Sequence, residues 1–326
     1  MPGRVQRVDD LQRRHRVLGI PLGVVYKFFD DQGGYLASVM SYYAFVAIFP
    51  ILLIASSVLG FVLQGHPHLQ QDILSSALAQ FPIVGDQLGR PEGIQGSASA
   101  VIVGSLAALY GIIGLGQAAH NAINVVWAIP RNSRLNPVVS RLRGLAWLVL
   151  AGVALLLVAV LSSLGGNLDI FGTDLGGGIK WIAAALTVVL TTVVLATMMQ
   201  LSTPQRERLR DVLPGSLFIA VGWQALQLLG GVYVEHVVKK ASQMNAVFAT
   251  VLGLVALLYI ATVIAMLGLE VNVVLTKRLY PRALLTPFTD SVVLTEADKR
   301  VYTEYAQAQR HKGFEQIQVS FDDQDP

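Results

Sequence analysis

Long intervals without charge constrain this chain more than any motif. No Asp, Glu, Lys or Arg lies between Asp31 and Asp72, Glu92 and Arg131, Arg143 and Asp169, Lys180 and Arg206, Asp211 and Glu235, or Lys240 and Glu270. Each interval exceeds the roughly 20 residues that carry a helix across about 30 Å of hydrocarbon. Only 14% of the 326 residues are charged and 53% are hydrophobic, whereas a soluble domain carries about 25% charge. The expected fold class is all-α: a polytopic integral membrane protein with six transmembrane helices near 36–63, 98–126, 145–165, 181–201, 212–234 and 246–269, together with short interfacial or amphipathic helices. Residues 1–35 then form an N-terminal segment, 36–280 the transmembrane domain and 281–326 a polar tail. Pro50, near the middle of the long first span, predicts a kink or tilt there.

The 24 basic residues set the orientation. The N-terminal segment has Arg4, Arg7, Arg13, Arg14, Arg16 and Lys27; the second connection Arg131, Arg134, Arg141 and Arg143; the fourth Arg206, Arg208 and Arg210; the stretch from Lys277 through the tail seven more. The opposite side has only Arg90, Lys180, Lys239 and Lys240. The excess of Lys and Arg in cytoplasmic connections places both termini in the cytoplasm. The net charge of +3 is thus assigned to topology, and no nucleic-acid partner is expected.

Residues 4–16 are Arg-rich and lead into a short apolar run broken by Lys27, which does not read as a cleavable signal peptide. Pro21 suits a helix first turn, and Leu22, Val25 and Phe29 share a face, predicting a helix lying on the cytoplasmic interface. Leu69, Ile73, Leu74, Ala77 and Leu78 repeat at helical spacing, so the external 65–96 segment is expected to lay an amphipathic helix on the membrane. In the tail, Thr295 to Asp298 reads as a capping box opening a helix with Val301, Tyr302 and Tyr305 on one side. The tail otherwise reads as a solvated, dispensable end.

Polar side chains inside apolar spans need partners, and so mark either function or helix packing. Gln117, His120, Asn121 and Asn124 form one stripe on the second span, a lining for a hydrophilic passage or a set of interhelical hydrogen bonds, with Trp127 beyond it as an interfacial anchor. Gln224 lies about 18 Å along the fifth span, near the midplane, with Gln227 on its face. Asn121, Asn124, Gln224 and Gln227 are therefore candidate substrate-pathway residues. Glu270 stands 24 residues after Ala246, about 36 Å along the axis, which puts its carboxylate at the cytoplasmic interface. There it serves either as a structural partner for Arg or backbone N–H, or as a gating or coupling acid. Tyr42 and Pro50 on the first span join it as gating candidates.

The chain contains no cysteine, which excludes disulfides, thiolate nucleophiles and Cys-ligated metals. No G-x-S-x-G, Walker A or H-E-x-x-H run occurs. His66 and His68 around Pro67 are too few for a strong metal site, and the acids read as scattered among connections and tail. No catalytic residue, metal site or cofactor is expected, and no enzyme activity.

Three stretches together resemble the YihY/BrkB family of bacterial inner-membrane proteins: SYYAFVAIFPILL from Ser41, NAINVVW from Asn121, and the run from RDVLPGSLFIAVGW at Arg210 to LLYIATVIAMLGLEVN ending at Asn272. The resemblance covers about residues 15–280. Its motif positions fall on Tyr42, Tyr43, Pro50, Asn121, Asn124, Trp127, Pro214, Gly215, Gly268, Glu270 and Asn272. Where many relatives carry Tyr-Gly before the last span, this chain has Asn245-Ala246-Val247-Phe248. The resemblance implies a six-span helical bundle in the bacterial inner membrane, and a transporter or exporter of an amphipathic or lipid-linked cell-envelope component. The alternative is a non-transporting membrane scaffold for envelope assembly; an intramembrane enzyme ranks behind both. The ribonuclease name the family once bore finds no carboxylate cluster here to support it. The lipid bilayer and a lipid-like or small-molecule substrate are the expected partners; oligomeric state is not legible.

Overall fold

The computed structural model describes residues 9, 11–62, 98–136, 138–144, 146, 152, 178–202, 208–240, 243–284, 286 and 292–322. The described residues are helical with no β-strand. Seven helices carry the argument: α1 (Arg16–Asp30), α2 (Gly33–Val62), α3 (Ala98–Val126), α4 (Gly178–Ser202), α5 (Leu209–Tyr233), α6 (Gln243–Lys277) and α7 (Glu296–Ala308). A π-helical turn, Val234–Val238, extends α5. The stretches Leu209–Val238 and Phe248–Lys277 are long and apolar enough to cross a membrane. The span expected near 145–165, the external 65–96 segment and the His66/His68 pair lie outside the described residues.

Helix α6 is central, packing against α5, α2, α3 and α1, while α2 pairs with α3 and α4 with α5. Glycines set several of these approaches. A Cβ on Gly111 of α3 would lie 2.8 Å from the Ala47 nitrogen of α2, and one on Gly116 would lie 2.9 Å from Gly144 Cα. Polar ties supplement packing: Thr262 Oγ1 on α6 donates to Ala37 O on α2 (2.9 Å), and Tyr233 Oη to Ala249 O (2.9 Å).

Two apolar layers follow one another along α6. Leu226 of α5, Ile48 of α2 and Leu254, Leu257 and Leu258 of α6 form one. Met266, Leu269 and Val273 of α6 form the other with Ile123, Val126, Met199 and Val212. The second layer lies where α3, α4 and α6 end, where α2 and α5 begin, and where α1 and α7 dock; we call it the terminal end.

Helix α1 departs from expectation in one respect. Pro21 is inside the helix rather than in its first turn. The ring is tolerated because the carbonyl it displaces, four residues back, belongs to Val17, which is 81% exposed. Gly19, Gly23, Val24 and Lys27 face inward, with Gly23 so near the residues that follow α6 that a Cβ would lie 3.0 Å from Leu279 O. Leu18, Val25 and Phe29 face outward as an exposed apolar stripe.

Candidate functional site

The residues Gly268, Glu270 and Asn272 divide between two faces of α6, because at about 100° per residue the first and third point one way and the second the other. On the Gly268–Asn272 face, α5 approaches to backbone contact: a Cβ on Gly215 would overlap Gly268 O. Asn272 Oδ1 accepts from Gly215 N (2.6 Å), and its Nδ2 points to Met199 Sδ of α4 (3.3 Å). The Pro214-Gly215 pair is thereby explained: proline disturbs the first turns of α5, and the amide next to it is satisfied from α6.

On the opposite face, Glu270 is fully buried and meets a charge cluster. Lys27 of α1, 1% exposed, pairs with Asp31, and its Nζ lies 3.9 Å from Glu270 Oε2. The same ammonium donates to Val126 O at the end of α3 (3.2 Å) and sits 5.1 Å from the centre of the Tyr305 ring. The Tyr305 hydroxyl donates to Asp31. Neither Glu270 oxygen receives a hydrogen bond among the described residues. Two buried carboxylates thus face one ammonium, an arrangement whose desolvation cost is only partly offset by pairing.

A second buried cation stands beside the first. Arg282 bonds Asp298 of α7 through Nε and Asp30 Oδ2 through Nη2 (3.0 Å), between the rings of Tyr26 and Tyr302. Asp298 Oδ2 also accepts from Ala283 N (3.0 Å) and from Thr295 N (2.9 Å), closing the capping box of α7. Lys277 Nζ bridges Trp127 O and Glu304 Oε2, each at 2.9 Å. Burial raises the Asp30 carboxyl above its ordinary range although Arg282 opposes it. Burial, then the charge and hydrogen bond of Asp31, raise the Tyr305 phenol far above 10.

Several expectations are corrected here. The acids are not scattered: Asp30, Asp31, Glu270 and Asp298 converge, drawn together by Lys27 and Arg282. The Trp127 ring is buried in the terminal-end layer and so faces neighbouring helices, and its carbonyl accepts from Lys277. The tail is not a solvated end: Arg282, Asp298 and Val301 are buried. Lys27, counted among the topology charges, is buried in an ion pair.

The four pathway candidates do not form one group. Asn124 is buried beside Ile123 and Val126, and its Oδ1 receives no hydrogen bond among the described residues, whereas Asn121 is exposed. Gln224 and Gln227 are half-buried next to Leu226, in the other layer, about 20 Å away along the axis of α6. Tyr42 is 56% exposed; its neighbour Tyr43 packs against the Tyr110 ring (5.7 Å) and into the notch left by Gly114. The Pro50 side chain lies outside the described residues, and α2 continues as helix through that position.

Lys27, Asp31, Arg282, Asp298 and Tyr305 escaped sequence reasoning because Lys27 and Tyr305 are far apart in the chain. Two signals pointed toward them: a lysine interrupting an apolar run, and the capping box at Asp298. Among the described residues, no three His, Asp or Glu side chains form a metal-binding group.

A family model described as virulence factor BrkB matches residues 24–290. The inner membrane protein YhjD of Escherichia coli (strain K12) is 24% identical over 264 residues, covering 76% of this chain and 78% of its own. An uncharacterized protein of Dickeya dadantii (strain 3937) is 22% identical over 267 residues, covering 75% and 81%. No solved structure matches the chain.

Proposed function

The chain belongs to the family described as virulence factor BrkB, and from that premise we propose that it crosses the bacterial inner membrane six times, with both termini cytoplasmic, and exports an amphipathic or lipid-linked component of the cell envelope. The observation that carries this reading is the Lys27–Asp31–Glu270 cluster, which ties the N-terminal helix, the end of α3 and the end of α6 together at one mouth of the bundle. Polar groups that hold helix ends rather than helix middles act as a gate: breaking them loosens α1 and α7 at the terminal end while the layer around Leu226 and Leu254 stays packed. Asn124, beside the cluster, is the first polar group behind that gate. Gln224 and Gln227 line the path farther in. The outward stripe of Leu18, Val25 and Phe29 lays α1 along the cytoplasmic leaflet.

The absence of native cysteine makes the test direct. Single cysteines replace Asn124, Gln224 and Gln227, and Val189, exposed on the outer surface of α4, serves as the control. Labelling in intact membranes with a small impermeant maleimide is expected at Gln224→Cys and Gln227→Cys, and labelling of Asn124→Cys from the cytoplasmic side should rise when Glu270→Gln is added. Complete silence at both glutamine positions in every condition overturns transport and leaves the scaffold reading.

A further inference from the structure

A separate feature lies on the terminal end, outside the buried cluster. The N-terminal segment, the end of α6 and α7 enclose a cavity of about 470 Å³ lined by Gln12 and five arginines: Arg13, Arg14, Arg16, Arg278 and Arg300. Its volume is that of a small-ligand site. We propose that it binds a phosphate ester whose alcohol part carries a free hydroxyl, either the headgroup of a glycerol-based anionic lipid or a soluble polyol phosphate.

Three observations carry this. First, the charge is unbalanced. Arg13 is answered by Asp9 (2.8 Å), but among the described residues Arg14, Arg16, Arg278 and Arg300 form no ion pair, and no acid lines the cavity. Guanidinium groups gathered from three segments make a locus of positive potential that attracts an anion. Their planar forks match phosphate oxygens two at a time. Second, Gln12 is 4% exposed and its Nε2 is committed to Asp9 Oδ1 (2.9 Å) and Arg282 O (2.6 Å). Those two acceptors fix the amide orientation, and the remaining Oε1 receives no hydrogen bond among the described residues. That oxygen is buried in the cavity wall, so a ligand hydroxyl reaches it only as the wall gives way, and this one uncommitted acceptor favours a polyol ester over bare phosphate. Third, Arg278 holds a left-handed backbone, φ 54°, at the position after α6 where glycine is usual. That backbone carries strain for a residue other than glycine, and the side chain it bears lines the cavity.

The test uses the full-length protein in nanodiscs. Glycerol 3-phosphate is titrated against protein in phosphatidylcholine discs, and retained lipid is counted by native mass spectrometry from discs containing phosphatidylglycerol. The triple variant R14Q/R16Q/R278Q is compared with R141Q/R143Q/R210Q, which removes equal charge outside the cavity. Glutamine at 278 keeps a non-glycine residue in the left-handed position, so folding is not confounded. Binding should weaken about tenfold or more in the cavity variant and stay within about twofold in the control. Saturable glycerol 3-phosphate binding identifies a soluble ligand, and phosphatidylglycerol retained without any response to glycerol 3-phosphate identifies the lipid; each supports the site. Equal loss in both triple variants, or no binding of either probe, overturns it. Because no outcome depends on transport, failure here is distinct from failure of the export reading.

Discussion

Lys27 sits in an apolar run, yet its ammonium is buried against two carboxylates and a backbone carbonyl. Removing it leaves Asp31 and Glu270 facing each other in a dry site. Lys27→Met should therefore lower stability by about 3–5 kcal/mol, the range for breaking a buried ion pair from one side. Glu270→Gln removes the charge in excess and should cost far less, because Asp31 keeps both Lys27 and Tyr305. Unfolding midpoints followed by intrinsic tryptophan fluorescence separate the two. Tyr305 adds a pH signature. Its phenol is raised in the fold above the ordinary value of 10 by burial and by Asp31, so the folded state keeps a proton that the unfolded chain releases. That stability is complete below about pH 10 and declines as pH rises beyond it. Tyr305→Phe should flatten the alkaline decline while costing about 1–3 kcal/mol at neutral pH, since the Asp31 oxygen it served is left unsatisfied. A series of midpoints from neutral pH to about 11 reads both effects.

Among the elements, the α5–α6 contact is the tightest. Alanine is the better helix former, so an unconstrained glycine in a helix gains about 0.5–1 kcal/mol when replaced. Gly231, where an added methyl would have nothing within 4 Å, should behave this way. Gly215→Ala should do the reverse and cost several times that amount, because its methyl would meet Gly268 O and displace Asn272 from the Gly215 amide. Opposite shifts in thermal midpoint for G215A and G231A are the expected result. Helix positions were legible because charge gaps and apolar length report them directly: the expected 98–126 is Ala98–Val126, and the expected 181–201 is Gly178–Ser202. The capping box at Thr295 was legible for the same local reason. The conformation that closes the helices was not. Gln32, Ala128 and Arg278 close α1, α3 and α6 in left-handed conformations without a glycine to announce them. Nor was the inward turn of Lys27, since periodicity around Leu22 and Phe29 shows which face is apolar and not what the other face meets. Asn124 was read as polar lining or packing, and its burial at the terminal end became visible only with α6 in place.

At the scale of the whole molecule, the two chain ends behave as one unit. Residues 9–31 and 277–308 share Arg282, Asp30, Asp298, Asp31 and Tyr305, and Thr295 Oγ1 reaches back to Pro281 O at 2.8 Å. A chain ending at residue 294 would leave Arg282 with Asp30 alone and Asp31 without its phenol. Its cost should be at least the roughly 3–5 kcal/mol of a broken buried pair, and Asp298→Asn should reproduce most of that loss by itself. A chain ending after Gly313 should lose only about 1 kcal/mol or less, because Phe314 is 88% exposed and the hydrogen bonds removed are those Glu315 accepts from the exposed His311 and Lys312 amides. Monodispersity on size exclusion and the unfolding midpoint distinguish these outcomes. The comparison also bears on mechanism. If α7 only stabilises, the residue-294 chain and Asp298→Asn lose stability while Asn124→Cys keeps its labelling rate in the fraction that remains folded. If α7 closes the mouth at the terminal end, the labelling rate rises in that same folded fraction, because the layer around Leu226 and Leu254 persists while the charge cluster has lost one of its walls.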